Sequence, residues 1–362
     1  MKIKSEDLKQ CLQYISSIYK RTHVMENTKH FIVSAESSIA TFIYFDGERE
    51  ASVSCDIETK DTELFCVEFD KLNQKMKLAQ DGLTVSLSFK GDSVTLGIGK
   101  SRTKVGSFNV EAYPRFKVDP NGVLVKCLSS DIANGISKVN NVIPSNDSRP
   151  YLNGLCLDIE KGKMTVVGSD GQRLSMSEIL VEYSDNSSFS SILPKNSISA
   201  FVSMLDSEEV EIFFTDSKIM AKSGKKILMV PKKEGKYANW RQVLGMSKTC
   251  KSADFNVSEL KYAIRSALIT SNHMFGGIEI EISKGVTNFM SKDESGETFE
   301  PIESNSDFDY RFAISGNYLN QAISNIESGV VSICTTSEDP NQHRPIKITE
   351  NNYTAIIMPI KM

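Results

Sequence analysis

Residues 8–20 read LKQCLQYISSIYK and place Leu8, Cys11, Leu12, Ile15 and Ile18 on one helical stripe. The stripe returns as Ile132, Ile136 and Val139, and again as Leu260, Ala263, Ile264, Ala267 and Leu268. Three short amphipathic helices are predicted, each near a hydroxyl suited to first-turn amides: Ser5, then Ser129 or Ser130, then Ser258. A β-like run follows each, at 31–33, 152–159 and 278–282, the last (IEIEI) alternating at period two. A second helix is expected in each third, at 69–80, 195–205 and 317–326. The copies start about 120 to 125 residues apart, too far for a solenoid unit and suitable for three copies of one small domain.

Hairpins complete the unit. Residues 83–98 turn at Gly91-Asp92, residues 209–220 turn near Asp216, and 330–334 pairs with 346–348 around a polar loop at 338–343. The segments 115–122 and 245–253 carry neither period and mark boundaries. The predicted fold class is α+β, with three similar domains at 1–120, 121–246 and 247–362, each two helices on antiparallel sheet. No Gly- or Ser-rich linker separates them, so rigid packing end to end is expected.

The 362 residues are 40% hydrophobic and 24% charged with a formal charge of -4, which suits a soluble folded chain and lacks the basic excess of a DNA-coating protein. Seven scattered cysteines form neither a metal knuckle nor a disulfide framework and read as reduced, mostly core thiols. No apolar stretch approaches the roughly 18 residues of a membrane span, and the N-terminus lacks a signal-peptide core, so a cytoplasmic protein without membrane contact is expected.

Enzyme chemistry finds no support. Gly99-Lys100-Ser101 ends like a phosphate loop, but Val94 stands where the first glycine is needed, so a turn with a basic tip is the better reading. The four histidines show no metal-ligand spacing, and Ser169-Asp170-Gly171 reads as a turn. No catalytic residue, metal or cofactor is expected. Basic residues recur on the helices instead: Lys9, Lys20, Arg21, Lys71, Lys75, Lys138, Lys195, Lys261 and Arg265. Lys71/Lys75 and Lys261/Arg265 are like-charged i,i+4 pairs, each costing a few tenths of a kcal/mol that an anion would offset. A helical lining that holds a polyanion loosely is the reading this recurrence favours.

With that repeat, Arg149-Pro150-Tyr151-Leu152-Asn153-Gly154, Ser169-Asp170-Gly171-Gln172-Arg173-Leu174, Tyr237-Ala238-Asn239-Trp240-Arg241 and the ending Met358-Pro359-Ile360-Lys361-Met362 make the whole chain resemble the bacterial DNA polymerase III beta subunit, or sliding clamp, family. The resemblance implies the DNA clamp fold and a head-to-tail homodimeric ring around duplex DNA. Such a ring slides without sequence preference, tethers the replicative polymerase and is opened by a clamp loader. It also implies a cleft for a short Leu-Phe-like partner peptide. The walls would be Leu152, Ser169, Gly171, Gln172, Arg173 and Leu174, with Ala238, Val243, Phe275 and Tyr318, and Ile356, Met358, Pro359 and Ile360 from the tail. Core packing is an equal explanation for Leu152, Leu174 and Val243 on sequence alone.

By the same resemblance Lys20, Arg21 and Asn146 lie near DNA-touching positions. The ring interface would join the strand at 104–110, with Lys104, Val105, Ser107 and Phe108, to Ile269 and Thr270. Thr270 stands where the family has an aliphatic residue, which would weaken dimerisation; a monomer would indicate instead a protein-binding scaffold of this fold that does not encircle DNA. Gln172 replaces the usual His, Ala238 the usual Pro, Trp240 the usual Tyr and Lys361 the usual Arg.

Overall fold

The computed structural model describes residues 1–362 except 20–25, 60–61, 118, 120, 184–186, 273–275, 327–328, 340–343 and 361–362. Lys20, Arg21, Phe275 and Lys361 therefore lie outside the described residues. Seven α-helices occur among the described residues: α1 (Ser5–Ser16), α2 (Phe69–Lys77), α3 (Ser129–Val139), α4 (Lys195–Met204), α5 (Trp240–Met246), α6 (Val257–Ile269) and α7 (Gly316–Ser324). Six coincide with predicted helices. The seventh, α5, spans only seven residues, too short for its period to stand out in the sequence.

The helices bury the expected stripes. Leu8, Cys11, Leu12 and Ile15 of α1 are buried, as are Phe69, Leu72 and Met76 of α2, and Leu260, Ala263, Ile264 and Ala267 of α6. Two expected caps differ. Ser5 donates its hydroxyl to the Gln80 carbonyl and no side chain caps α1. At α6, Asn256 Oδ1 accepts from the Ser258 and Glu259 amides, because the helix starts at Val257 and places its cap ahead of Ser258.

The described chain forms two compact units. The first comprises Met1–Ser130, Glu182–Asp185 and Asn196–Lys232. It contains a nine-stranded sheet in which Lys226–Pro231 pairs antiparallel with Glu50–Asp56, from Lys226 opposite Val53 to Met229 opposite Glu50. It also holds a four-stranded sheet ordered Lys2–Lys4, Thr84–Lys90, Ser93–Ile98, Ser101–Gly106. The hairpin expected at Gly91-Asp92 forms there, with Lys90 opposite Ser93. Gly99 turns at φ +55° between Ile98 and Ser101, which gives the lysine-tipped turn in place of a phosphate loop.

The second unit comprises Asp131–Val181, Asn186–Lys195 and Lys233–Met362. Its eight-stranded sheet joins Arg173–Leu180 to Tyr353–Ile357, with Arg173 opposite Ile357 and Ser177 opposite Tyr353. A four-stranded sheet runs Glu297–Glu303, Val286–Lys292, Gly277–Ser283, Tyr310–Ser315, under α6 and α7. Strands of the middle third of the sequence thus enter both large sheets.

Candidate partner-peptide cleft and nucleic-acid surface

A cleft of about 790 Å³ opens in the second unit where the Arg173–Leu180 and Tyr353–Ile357 strands meet. Leu152, Leu174 and Ile356 form its floor and are also core, 1%, 4% and 2% exposed, so packing and lining coincide in the same side chains. Of the other expected wall residues, Ser169, Gly171, Gln172, Arg173, Ala238, Val243 and Met358 line it. Met358 is 45% exposed, an adaptable apolar side chain open to a ligand.

Three expected residues sit elsewhere. Ile360 bonds its amide to the Ala313 carbonyl at 2.9 Å and packs its side chain against Gly277, on the neighbouring sheet edge. Pro359 is half-buried beside it and does not line the cleft. Tyr318 supports the wall from behind: its hydroxyl donates to Gln172 Oε1 and its ring carries the Arg173 guanidinium. Arg173 is further held by Asp170, by Gln321 Oε1 at 2.6 Å and by the Asn141 carbonyl.

Sequence reasoning missed Arg149, Trp240, Met246 and Arg344 as wall residues. The signal for Trp240 and Met246 was Asn239, whose Oδ1 accepts from the Gln242 amide and starts α5. Trp240 is fixed by Asp158, which accepts from the indole at 2.8 Å and binds the Arg241 guanidinium, itself stacked over the indole.

Arg149 is clamped by Asp147 through two bonds of 2.9 and 3.0 Å and donates to the Asp170 carbonyl. That guanidinium holds the half-buried Asp147 carboxyl down at about 2. It lies so close to Gly171 that an added Cβ would meet Nη1 at 2.5 Å, and Gly171 itself turns at φ +88°. The predicted Ser169-Asp170-Gly171 turn is therefore one that only glycine fits.

The basic residues divide by what their charges already touch. Lys138 is buried and paired with Glu350 at 2.7 Å. Lys195 Nζ donates to the Asn140 and Ile143 carbonyls, and burial lowers its pKa. Lys261 caps the end of α7 through the Ser324 and Ile326 carbonyls, and Lys9 binds Ala79 O and Asp81. Lys75 reaches Ser101, Lys71 pairs with Glu68 at 2.7 Å, and Arg265 and Asn146 are exposed.

At the expected ring interface, Lys104 and Val105 belong to the edge strand Ser101–Gly106, with Val105 turned inward. Ser107 donates to the Cys66 carbonyl, and Phe108 packs beside Tyr113 and the His30 ring. Ile269 is 75% exposed. Thr270 is half-buried, its hydroxyl bonded to Ser291 and Thr298 at 2.8 Å each. The second unit ends in the edge strand Glu297–Glu303, where Phe299 is exposed.

Known proteins share part of the sequence and the fold. Residues 128–239 match the family described as DNA polymerase III beta subunit, central domain. That match covers the central third of the chain. The chain is 20% identical over 289 residues to the beta sliding clamp of Vibrio cholerae, covering 78% of this chain and 77% of that one. With the beta sliding clamp of Streptococcus pneumoniae it is 24% identical over 291 residues, 76% of this chain and 75% of the other. The fold follows the crystal structure of the DNA polymerase III subunit beta from Pseudomonas aeruginosa at a TM-score of 0.93, with 18% identity and full coverage of both chains. The expected clamp fold is therefore observed. No helix among the described residues is long and apolar enough to cross a membrane.

Proposed function

We propose that this chain is a sliding clamp, a non-catalytic processivity factor. Two copies close head to tail into a ring of six similar domains around duplex DNA, and the ring tethers the replicative polymerase. Closure would pair the Ser101–Gly106 edge of one copy with the Glu297–Glu303 edge of the next, through main-chain hydrogen bonds that two unpaired edges of a sheet can supply. Retention then rests on topology, and lysine–phosphate contacts need only be loose and independent of sequence. A cytoplasmic location and opening by an ATP-dependent loader accompany this reading.

The observation that carries it is the cleft, in which an apolar floor and a flexible Met358 are bordered by fixed arginines. Such a surface suits a short peptide with two adjacent apolar anchors, presented by the polymerase or the loader. Light scattering across a dilution series tests the ring, and a stable species of twice 40.2 kDa is expected. Retention on circular but not linear DNA tests encirclement. A monomer at all concentrations, with peptide binding intact, would leave the protein-binding scaffold as the function.

A further inference from the structure

A pocket of about 610 Å³ lies against α1 in the first unit and shares no lining residue with the peptide cleft. Its lining includes Asp7, Cys11 and Tyr14 from α1, Cys55 and Asp56 from the Glu50–Asp56 strand, and Lys225. Cys11 belongs to the buried stripe of α1, and Cys55 follows Ala51 and Val53 on the inward face of its strand. The helix packs on that strand, which brings the two thiols to the same pocket. They are 2% and 7% exposed and yet both border the pocket. All seven cysteines are free thiols.

We propose that Cys11 and Cys55 form a dithiol modification site that peroxides reach through this pocket and oxidise to an intramolecular disulfide. An S–S bond of ~2.05 Å between them would join the helix to the strand on which it packs. In the first step the Cys55 thiolate attacks a peroxide oxygen, the O–O bond breaks, and hydroxide leaves as Cys55 becomes a sulfenic acid. In the second, the Cys11 sulfur attacks the Cys55 sulfur, the S–O bond breaks, and the Cys11 proton leaves with the hydroxyl as water. Each peroxide is reduced by two electrons, drawn from the thiol pair. A reducing thiol reverses the bond by exchange.

The neighbouring groups assign the roles. The Cys11 hydrogen bond lowers the Cys55 pKa and Lys225 adds to this, against burial and the nearby carboxylates of Asp7 and Asp56. Cys11 moves the other way, raised by that same bond and by burial, so it stays protonated and acts second. Elsewhere burial alone pushes Cys66 up to about 12, and Cys156 is likewise raised, which makes both poor nucleophiles. Cys250 is exposed and is the competing site.

The test uses the full chain as Cys250→Ser, treated with hydrogen peroxide, blocked with N-ethylmaleimide and mapped by non-reducing peptide mass spectrometry. The expected result is a mass lower by two hydrogens and one cross-linked pair carrying Cys11 and Cys55, both lost on reduction, with circular dichroism unchanged. Cys11→Ser should then stop the reaction at a Cys55 sulfenic acid, trapped by dimedone on the folded chain. The proposal is overturned if Cys11 and Cys55 stay unmodified while other cysteines oxidise. It also fails if they react only once the chain has unfolded, or if each cross-links to a different cysteine. The map of the Cys250→Ser chain decides the matter even if adding Cys11→Ser impairs folding.

Discussion

The Tyr318 hydroxyl donates to Gln172 Oε1 at 3.1 Å, and the ring beneath that hydroxyl holds the Arg173 guanidinium 4.0 Å from its centroid. By its resemblance to the sliding clamps, Gln172 takes a place expected for His, so a titrating ring would be exchanged for an amide whose orientation another side chain fixes. Binding of an apolar cleft peptide should therefore be flat between pH 6 and 8, as read by fluorescence anisotropy. Gln172→His should introduce a change centred near pH 6.5, the ordinary imidazole value. Tyr318→Phe releases the amide, and because the bond is exposed its loss should cost only about 0.5 kcal/mol, roughly a twofold weaker peptide.

Gly171→Ala tests the other side of the turn. A Cβ there meets both a left-handed φ of +88° and the Arg149 guanidinium. The backbone term alone is about 1–2 kcal/mol. Arg149 must also leave the Asp170 carbonyl, so peptide affinity should fall further than urea-measured stability does. Equal losses in both would mean that Arg149 plays no part in holding the peptide.

The Asp147–Arg149 clamp has a defined pH window. The folded carboxyl titrates at about 2, below its ordinary value of 3.8. A depressed folded pKa contributes stability that is complete above the unfolded pKa and is lost as pH falls through the folded one. The clamp should thus be intact at pH 5 and dissolve only between about 4 and 2. Carboxyl-detected NMR of the Asp147 resonance reads this directly. A midpoint near 4 would show that the two residues do not pair in solution.

What the sequence revealed follows from where physical signals are periodic or conformationally demanding. The Gly91-Asp92 hairpin and the α6 stripe were legible because turn chemistry and apolar spacing act over a few neighbouring residues. The junctions from Lys226 to Val53 and from Arg173 to Ile357 were not, since strand edges meet through main-chain bonds that any side chain permits. The motif residues Gly171 and Arg173 line the cleft, yet Ile360 pairs with Ala313, because the chain leaves its strand after Ile357 and bridges to the other sheet, which the motif alone does not encode. Lys138 and Lys195 looked like their fellow helix lysines because burial and the partners Glu350 and Asn140 arise only from folding.

Asp158 holds α5, and with it Trp240 in the cleft wall. Asp158→Ala leaves the buried indole N–H and one side of Arg241 without an acceptor. Arg241 is partly exposed and keeps Glu160 at 2.9 Å, so the loss should be about 2 kcal/mol, below that of a fully buried pair. Asp158→Asn keeps one acceptor for the indole and should recover part of it. Indole fluorescence during urea unfolding separates the two variants, because Trp240 is the single tryptophan of the chain.

The basic residues offer a test of what meets DNA. Lys75 and Arg265 have side chains that reach solvent or a single hydroxyl, so a phosphate can take them without breaking an ion pair. Lys138 cannot reach a phosphate without abandoning Glu350 in a nearly buried site. Replacing Lys75 and Arg265 by Ala should lower the salt slope of DNA binding by about 0.9 for each phosphate that the variant no longer neutralises, and leave thermal stability unchanged. Lys138→Ala should do the reverse, strand the Glu350 carboxylate and lower the melting temperature while the slope stays put. Sequence preference should be absent in all three. If Lys138→Ala flattened the salt dependence and Lys75→Ala did not, the helix face assigned to DNA would be the wrong one.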